Sequence, residues 1–346
     1  LRGYNTEGFS KSRSQYSTFK MTGKVAASGS VMSLIDGVCE TLAIPANYCF
    51  YNLFAGCKSL TQAPELPATT LAKSCYEFMF YGCTSLTQAP ALPAMTLAES
   101  CYVVMFASCK NLTQAPELPA TTLAEACYGN MFNGCASLTN APELPATTLA
   151  DGCYIAMFSA FSLTQAPALP AMTLANSCYS YMFQGCTSLT KAPKLPATKM
   201  NAESCCYRMF EDCTNLSEIN VSFDEWPIIY DDVDGELNPS ANFKWVENVA
   251  PTGTFICPKA LPLEYGESRI PEGWTVKYIE DMANYLTFTA EEDSSSFRIV
   301  NNGSNNPDVQ YSLDGGETWT ALAGGKIVTL AHKGDKALLR GDNPQG

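Results

Sequence analysis

A block of about 26 residues recurs through the middle of this chain, and this period constrains the fold more than any other feature. One copy, residues 60–85, reads LTQAPELPATTLAKSCYEFMFYGCTS. The first cysteine of each copy falls at Cys49, Cys75, Cys101, Cys127, Cys153, Cys178 and Cys205. A unit this short cannot bury its apolar face alone, so the copies must stack on one another. The expectation is a solenoid.

The cysteine half of the repeat reads as a short amphipathic helix. Ala72, Cys75, Tyr76, Met79, Phe80 and Cys83 sit at offsets 0, 3, 4, 7, 8 and 11, one face of a 3.6-residue period. The position of Phe78 varies freely in other copies (Val104, Asn130, Ala156, Tyr181, Arg208), as an exposed face would. Thr96 with Glu99, Thr122 with Glu125 and Thr148 with Asp151 resemble capping boxes at a helix start. Gly82, Gly134 and Gly185 suit a left-handed residue at its end. In the other half, Leu86, Ala89 and Leu92 recur every third residue, and Pro90 and Pro93 lack amide donors. A strand stub at Leu86–Ala89 followed by a polyproline-like connection is expected there. The resulting expectation is an α/β solenoid, a short strand plus a short helix per repeat.

The period slips in two places. One residue is missing near Ser159–Leu163, where Ala160 or Phe161 stands in for the second thiol, and one is gained near Met200–Asn201. The last copy ends in Leu216, Ile219, Val221 and Phe223, read as a closing strand. The domain reading is 1–48 as an N-terminal cap and the end of a preceding β unit, 49–223 as the repeats, and 224–283 as a C-terminal cap and linker. Residues 284–346 are read as a small, incomplete all-β unit. Its strands are expected at Leu286–Ala290, Ser296–Asn301, Val309–Ser312, Lys326–Leu330 and Ala337–Arg340. Ser312-x-Asp314-x-Gly316-x-Thr318-Trp319 matches an Asp-box, read as a structural hairpin. The N-terminal Leu1-Arg2-Gly3-Tyr4-Asn5 rhymes with Leu339-Arg340-Gly341-Asp342-Asn343. That rhyme, with Leu at position 1 and no signal peptide, reads as a fragment or processed product of a tandem protein.

The chain holds 16 cysteines. Three readings compete: disulfides between neighbouring repeats, metal ligands, or small buried hydrophobes whose S–H groups reach turn carbonyls. The eight-residue gap from Cys75 to Cys83 is not a zinc spacing, and the lone histidine, His332, lies far away. The third reading is preferred.

Met79-Phe80-x-Gly82-Cys83-Thr84-Ser85-Leu86-Thr87, its copies, and the following Leu92-Pro93 resemble the BspA-type leucine-rich repeats of Bacteroidetes surface proteins. The resemblance covers roughly residues 42–223. Gly253-Thr254-Phe255 through Trp274-Thr275-Val276 is similar to the closing segment of such proteins. It implies a leucine-rich-repeat-like, right-handed coil and a secreted or cell-surface setting. It also implies an adhesin-like role toward a host or bacterial surface protein or glycan. No catalytic residue and no cofactor comes with it. Pro90 and the Cys75-Tyr76 pair depart from the family's usual strand and turn.

The net charge is −13, and residues 214–346 carry 9 basic and 21 acidic side chains. No basic patch marks a nucleic-acid site, and no apolar run is long enough to span a membrane. A single histidine disfavours His-based acid–base catalysis, so the chain is read as non-enzymatic. The candidate contact row is Gln62, Gln88, Gln114, Asn140, Gln165 and Lys191. A second row runs Glu65, Ala91, Glu117, Glu143, Ala168 and Lys194. Amides at fixed spacing suit a glycan or an extended peptide. The rival functions are a passive spacer and an accessory module of a carbohydrate-active enzyme. Asp232, Asp234 and Glu236 lie in an acidic loop that only faintly matches a calcium site.

Overall fold

A computed structural model of the chain describes residues 2–160, 162–228, 240–279, 286–300, 309–313, 320–322 and 324–341. The chain divides into two compact units, Leu1–Lys277 and Tyr278–Gly346.

The repeats form layers, each hydrogen-bonded to the next, and the α/β solenoid with a helix per repeat is not what they adopt. No α-helix occurs among the described residues of 49–223, which hold runs of turns instead. In the second layer Cys75, Glu77, Met79, Tyr81 and Cys83 each donate to the carbonyl three residues earlier. The intervening amides of Tyr76, Phe78, Phe80 and Gly82 donate to Cys101, Val103, Met105 and Ala107 of the following layer, at 2.9–3.0 Å. Every donor in this run is therefore used, half within the layer and half between layers. A helix would instead close each amide on the residue four earlier.

The backbone shows why turns win. Ser74, Phe78 and Gly82 have φ of 53°, 59° and 66°, one left-handed residue in every four. The inward pairs Cys75/Tyr76 and Met79/Phe80, then Cys83, therefore return to the same face every four residues. On a helix that pattern would drift by about 40° per four residues. An isolated helix of one repeat's length is also marginal in water, whereas the turn run gains a full set of partners by stacking. The expected capping boxes have no helix to cap: Thr96 instead makes a parallel bridge with Thr122, and Leu97 donates to the Thr122 carbonyl at 2.9 Å.

The extended half has less strand than expected. Only the first and last layers hold named strands: β1 (Val25–Ala26) pairs parallel with β2 (Leu60–Gln62), and β3 (Glu218–Asn220) pairs parallel with β4 (Thr254–Cys257). Between them lie single parallel bridges such as Gln88↔Gln114 and Asn140↔Gln165. Two prolines per layer remove the amides that a longer ladder needs. The leucine-rich-repeat solenoid of strand and helix is thus replaced by small, separate sheets and stacked turns.

The interior is dry and layered. Cys75, Tyr76, Met79, Phe80, Cys83, Leu86, Leu92 and Ala94 are all buried, as are most of their counterparts in other layers. Phe54, Phe80, Phe106, Phe132, Phe158, Phe183 and Phe210 form one stack, with centroids 5.5–6.0 Å apart. Tyr76, Tyr102, Tyr128, Tyr154 and Tyr179 form another at 5.8–6.2 Å. Burying each such ring contributes about 1.5–3 kcal/mol. At the short fifth layer, Ala160 (φ 55°) stacks against Gly185 in the left-handed column, so it does not replace the thiol. Phe161 lies outside the described residues.

Both ends of the stack are closed. At the start, Ser10 and Phe19 donate to Cys49 and Leu53, and Phe19 stacks on Phe54 at 5.3 Å. At the far end Cys206, Arg208, Phe210 and Asp212 donate to Ala241, Phe243, Trp245 and Glu247. Trp245 is fully buried there, and its indole N–H donates to Arg269. β5 (Thr275–Tyr278) completes the β3-β4-β5 sheet. Gly253 permits the close approach: a Cβ there would lie 2.5 Å from the Ser217 carbonyl oxygen and 2.8 Å from the Trp274 ring.

The second unit contains β6 (Leu286–Thr289), β7 (Ser295–Phe297), β8 (Val309–Ser312), β9 (Thr320–Ala321), β10 (Val328–Leu330) and β11 (Lys336–Gly341). They form a four-stranded sheet ordered β6-β11-β8-β9 and a β10-β7 pair. Ala290, Leu322, Val328, Leu330, Ala337 and Leu339 are its core. The Asp-box hairpin at 314–319 lies outside the described residues.

Candidate ligand-binding face

The six row residues Gln62, Gln88, Gln114, Asn140, Gln165 and Lys191 are all exposed. Parallel bridges pair Gln88 with Gln114 and Asn140 with Gln165 within the row, and Ala26 with Gln62 and Lys191 with Glu218 at its ends. Spacing between bridged backbones is ~4.8 Å, so the row advances one residue per layer. Among the described residues, the amides of Gln88, Gln114, Asn140 and Gln165 have no side-chain hydrogen bond. Lys191 is engaged, with its ammonium 3.2 Å from the Glu218 carboxylate. Glu65, Ala91, Glu117, Glu143, Ala168 and Lys194 are also exposed, forming a second row beside the first.

The Gln-Ala-Pro-Glu-Leu-Pro segments and their counterparts border hollows. One of about 620 Å³ lies between Gln114 and Asn140, a second of about 620 Å³ between Asn140 and Gln165, and a third of about 440 Å³ between Gln165 and Lys191. Pro116, Pro119, Pro142 and Pro145 line the first and Pro145, Pro167 and Pro170 the second. The sequence pointed to the amides but not to these proline walls. Their three-residue recurrence was the available signal.

The thiols are not part of this face. All except Cys39 are buried, and none of the sixteen is in a disulfide. Cys83, Cys109, Cys135, Cys186 and Cys213 donate S–H to the carbonyls of Phe54, Phe80, Phe106, Phe158 and Phe183 at 3.0–3.2 Å. The carbonyls of Phe54, Phe80, Phe106 and Phe183 also accept a turn amide, so both lone pairs of each are used. Burial pushes the Cys49 thiol up to about 11 and the Cys75 thiol up to about 12. Cys83 and Cys109 are pushed higher for the same reason. Buried, protonated thiols are neither nucleophiles nor metal ligands at neutral pH.

Among the described residues, no cluster of three or more His, Cys, Asp or Glu is placed to hold a metal ion. The weak calcium candidates Asp232, Asp234 and Glu236 lie outside the described residues. No helix among the described residues is long and apolar enough to cross a membrane. Sequence reading missed one charged feature, the Arg13–Glu77 ion pair at 3.0 Å, whose carboxylate is 3% exposed. Arg13 also lies over the Tyr48 ring, and this pair ties the N-terminal segment across two layers. No family model, curated protein or solved structure matches the chain.

Proposed function

We propose that the chain is a non-enzymatic interaction scaffold, adhesin-like, that binds a surface protein or glycan through the row Gln62, Gln88, Gln114, Asn140, Gln165 and Lys191. The observation that carries this reading is the run of four exposed amides with unused hydrogen-bonding capacity, on backbones bridged in two pairs, Gln88 with Gln114 and Asn140 with Gln165. The backbone frame beneath them is already fixed by hydrogen bonds between layers, so binding has only the side chains left to order. An extracellular or cell-surface setting belongs to the same proposal and rests on the resemblance in the repeat sequence. The test is an array of glycans and matrix proteins probed with the full chain and with a Gln88→Ala/Gln114→Ala/Gln165→Ala variant. Binding that the triple variant abolishes supports the row as the contact face. Equal binding by both proteins rejects it, and silence of the native chain points to a spacer.

A further inference from the structure

The three hollows follow one another along the stack, a row here called the trough, and adjacent hollows share walls. Asn140, Ala141, Glu143 and Pro145 belong to both the first and the second, and Gln165 and Ala166 to both the second and the third. We infer that this trough holds a single strand of a neutral, β-1,4-linked pyranose glycan, one sugar ring per layer. The inference rests on the amide row being a contact face and names the class of ligand it takes.

Period, chemistry and charge point the same way. Bridged backbones lie ~4.8 Å apart and the stacked rings 5.5–6.2 Å apart, both short of the ~6.8 Å at which side chains on one face of an extended peptide recur. A peptide therefore slips out of register along the row. β-1,4-Linked pyranose rings advance by roughly one layer spacing and turn over at each step, so the same ring edge returns every second layer. The backbone offers a peptide little, because Gln114 is bridged to Gln88 and Asn140 to Gln165. β-Strand addition needs those groups free. An amide donates through nitrogen and accepts through oxygen, which matches a pair of neighbouring sugar hydroxyls. Pro119, Pro145 and Pro170, the accessible prolines of the walls, give the ring C–H faces an apolar bed. Glu117 and Glu143 accept hydroxyl protons and repel carboxylated or sulfated sugars, which selects a neutral chain.

The experiment is isothermal titration of the full chain with β-1,4-linked manno-, gluco- and xylo-oligosaccharides of increasing length. For at least one series, affinity should climb with each added ring up to four, one for each layer from Gln114 to Lys191, and then level off. Asn140→Ala should weaken binding about fivefold, the factor of one ordinary hydrogen bond, with an unchanged melting temperature. Ala141→Trp, which fills the trough, should abolish binding. Affinity independent of length, or unaffected by either variant, overturns the inference. If the oligosaccharides are silent but a protein partner is found that loses affinity on Asn140→Ala, the amide row stands and the glycan assignment falls. If neither glycans nor proteins bind, both fall.

Discussion

Gly152→Ala separates stacked turns from helices by the sign of one number. Gly152 has φ of 59° and occupies the left-handed column shared with Ser74, Ser100 and Ala126. A Cβ built there would meet its nearest neighbours, Ile155 Cγ2 and Ala126 Cα, at 3.9 and 4.0 Å, which is ordinary contact. Steric clash is therefore absent, and only the backbone term remains. Holding an L-residue in the left-handed region costs ~1–2 kcal/mol. Restricting the unfolded chain returns ~0.4–1 kcal/mol. The net expectation is a loss of about 1 kcal/mol, read as a lower urea midpoint at constant slope by intrinsic fluorescence. Were this segment the helix that Thr148 and Asp151 suggested, the same change would add ~0.8–1 kcal/mol. The reciprocal Ala126→Gly should shift the midpoint upward, by less, because a half-buried methyl is lost. A raised midpoint for Gly152→Ala would refute the turn geometry.

Further expectations concern the interior and its ends. Phe106 is fully buried between Phe80 and Phe132, so Phe106→Ala should cost ~3–5 kcal/mol in the same denaturation assay. A loss below 1 kcal/mol would mean the aromatic stack is not packed. In the folded protein a thiol reagent should label Cys39 quickly and the buried cysteines only on unfolding, counted by mass spectrometry. In the folded protein burial raises the Cys49 thiol from its ordinary value of 9.0 to about 11 and the Cys75 thiol to about 12. Their contribution is therefore complete below pH ~9 and is lost as pH rises through 11 to 12, so the melting temperature should fall steeply over that window. A flat profile there would place the thiols in solvent. Arg13→Ala leaves the buried Glu77 carboxylate unpaired and should cost ~1–2 kcal/mol, less than a fully buried pair because the guanidinium is largely exposed. Adding Glu77→Gln should restore most of that loss, and its failure to do so would assign the effect to packing.

The period, the identity of the interior and the exposed rows were legible because each depends only on which residue types recur and where. Cys75, Tyr76, Met79 and Phe80 had to face inward under any stacking, and Gln88 and Gln114 outward. The backbone between them was not legible. Offsets of 0, 3, 4, 7, 8 and 11 fit a four-residue turn period as well as a 3.6-residue helix, and the short run gives the drift no room to show. The deciding signal lay in the columns of Ser74, Gly152 and Ser204 and of Gly82 and Gly134, residues that tolerate positive φ. Phe78, Val104 and Tyr181 hid it, since bulky or β-branched residues rarely sit at φ near 58°. Thr122 with Glu125 misled because the motif marks helix starts only where a helix follows. The trough escaped notice because prolines were read as strand breakers, not as walls.

That each repeat is closed by its neighbour, not by a helix of its own, is tested most directly by scalar coupling across hydrogen bonds in the labelled protein. The Phe106 amide nitrogen should couple to the carbonyl carbon of Met131, whose oxygen accepts its hydrogen bond at 3.0 Å in the next layer. Coupling to the Tyr102 carbonyl, four residues back in the same repeat, would contradict it.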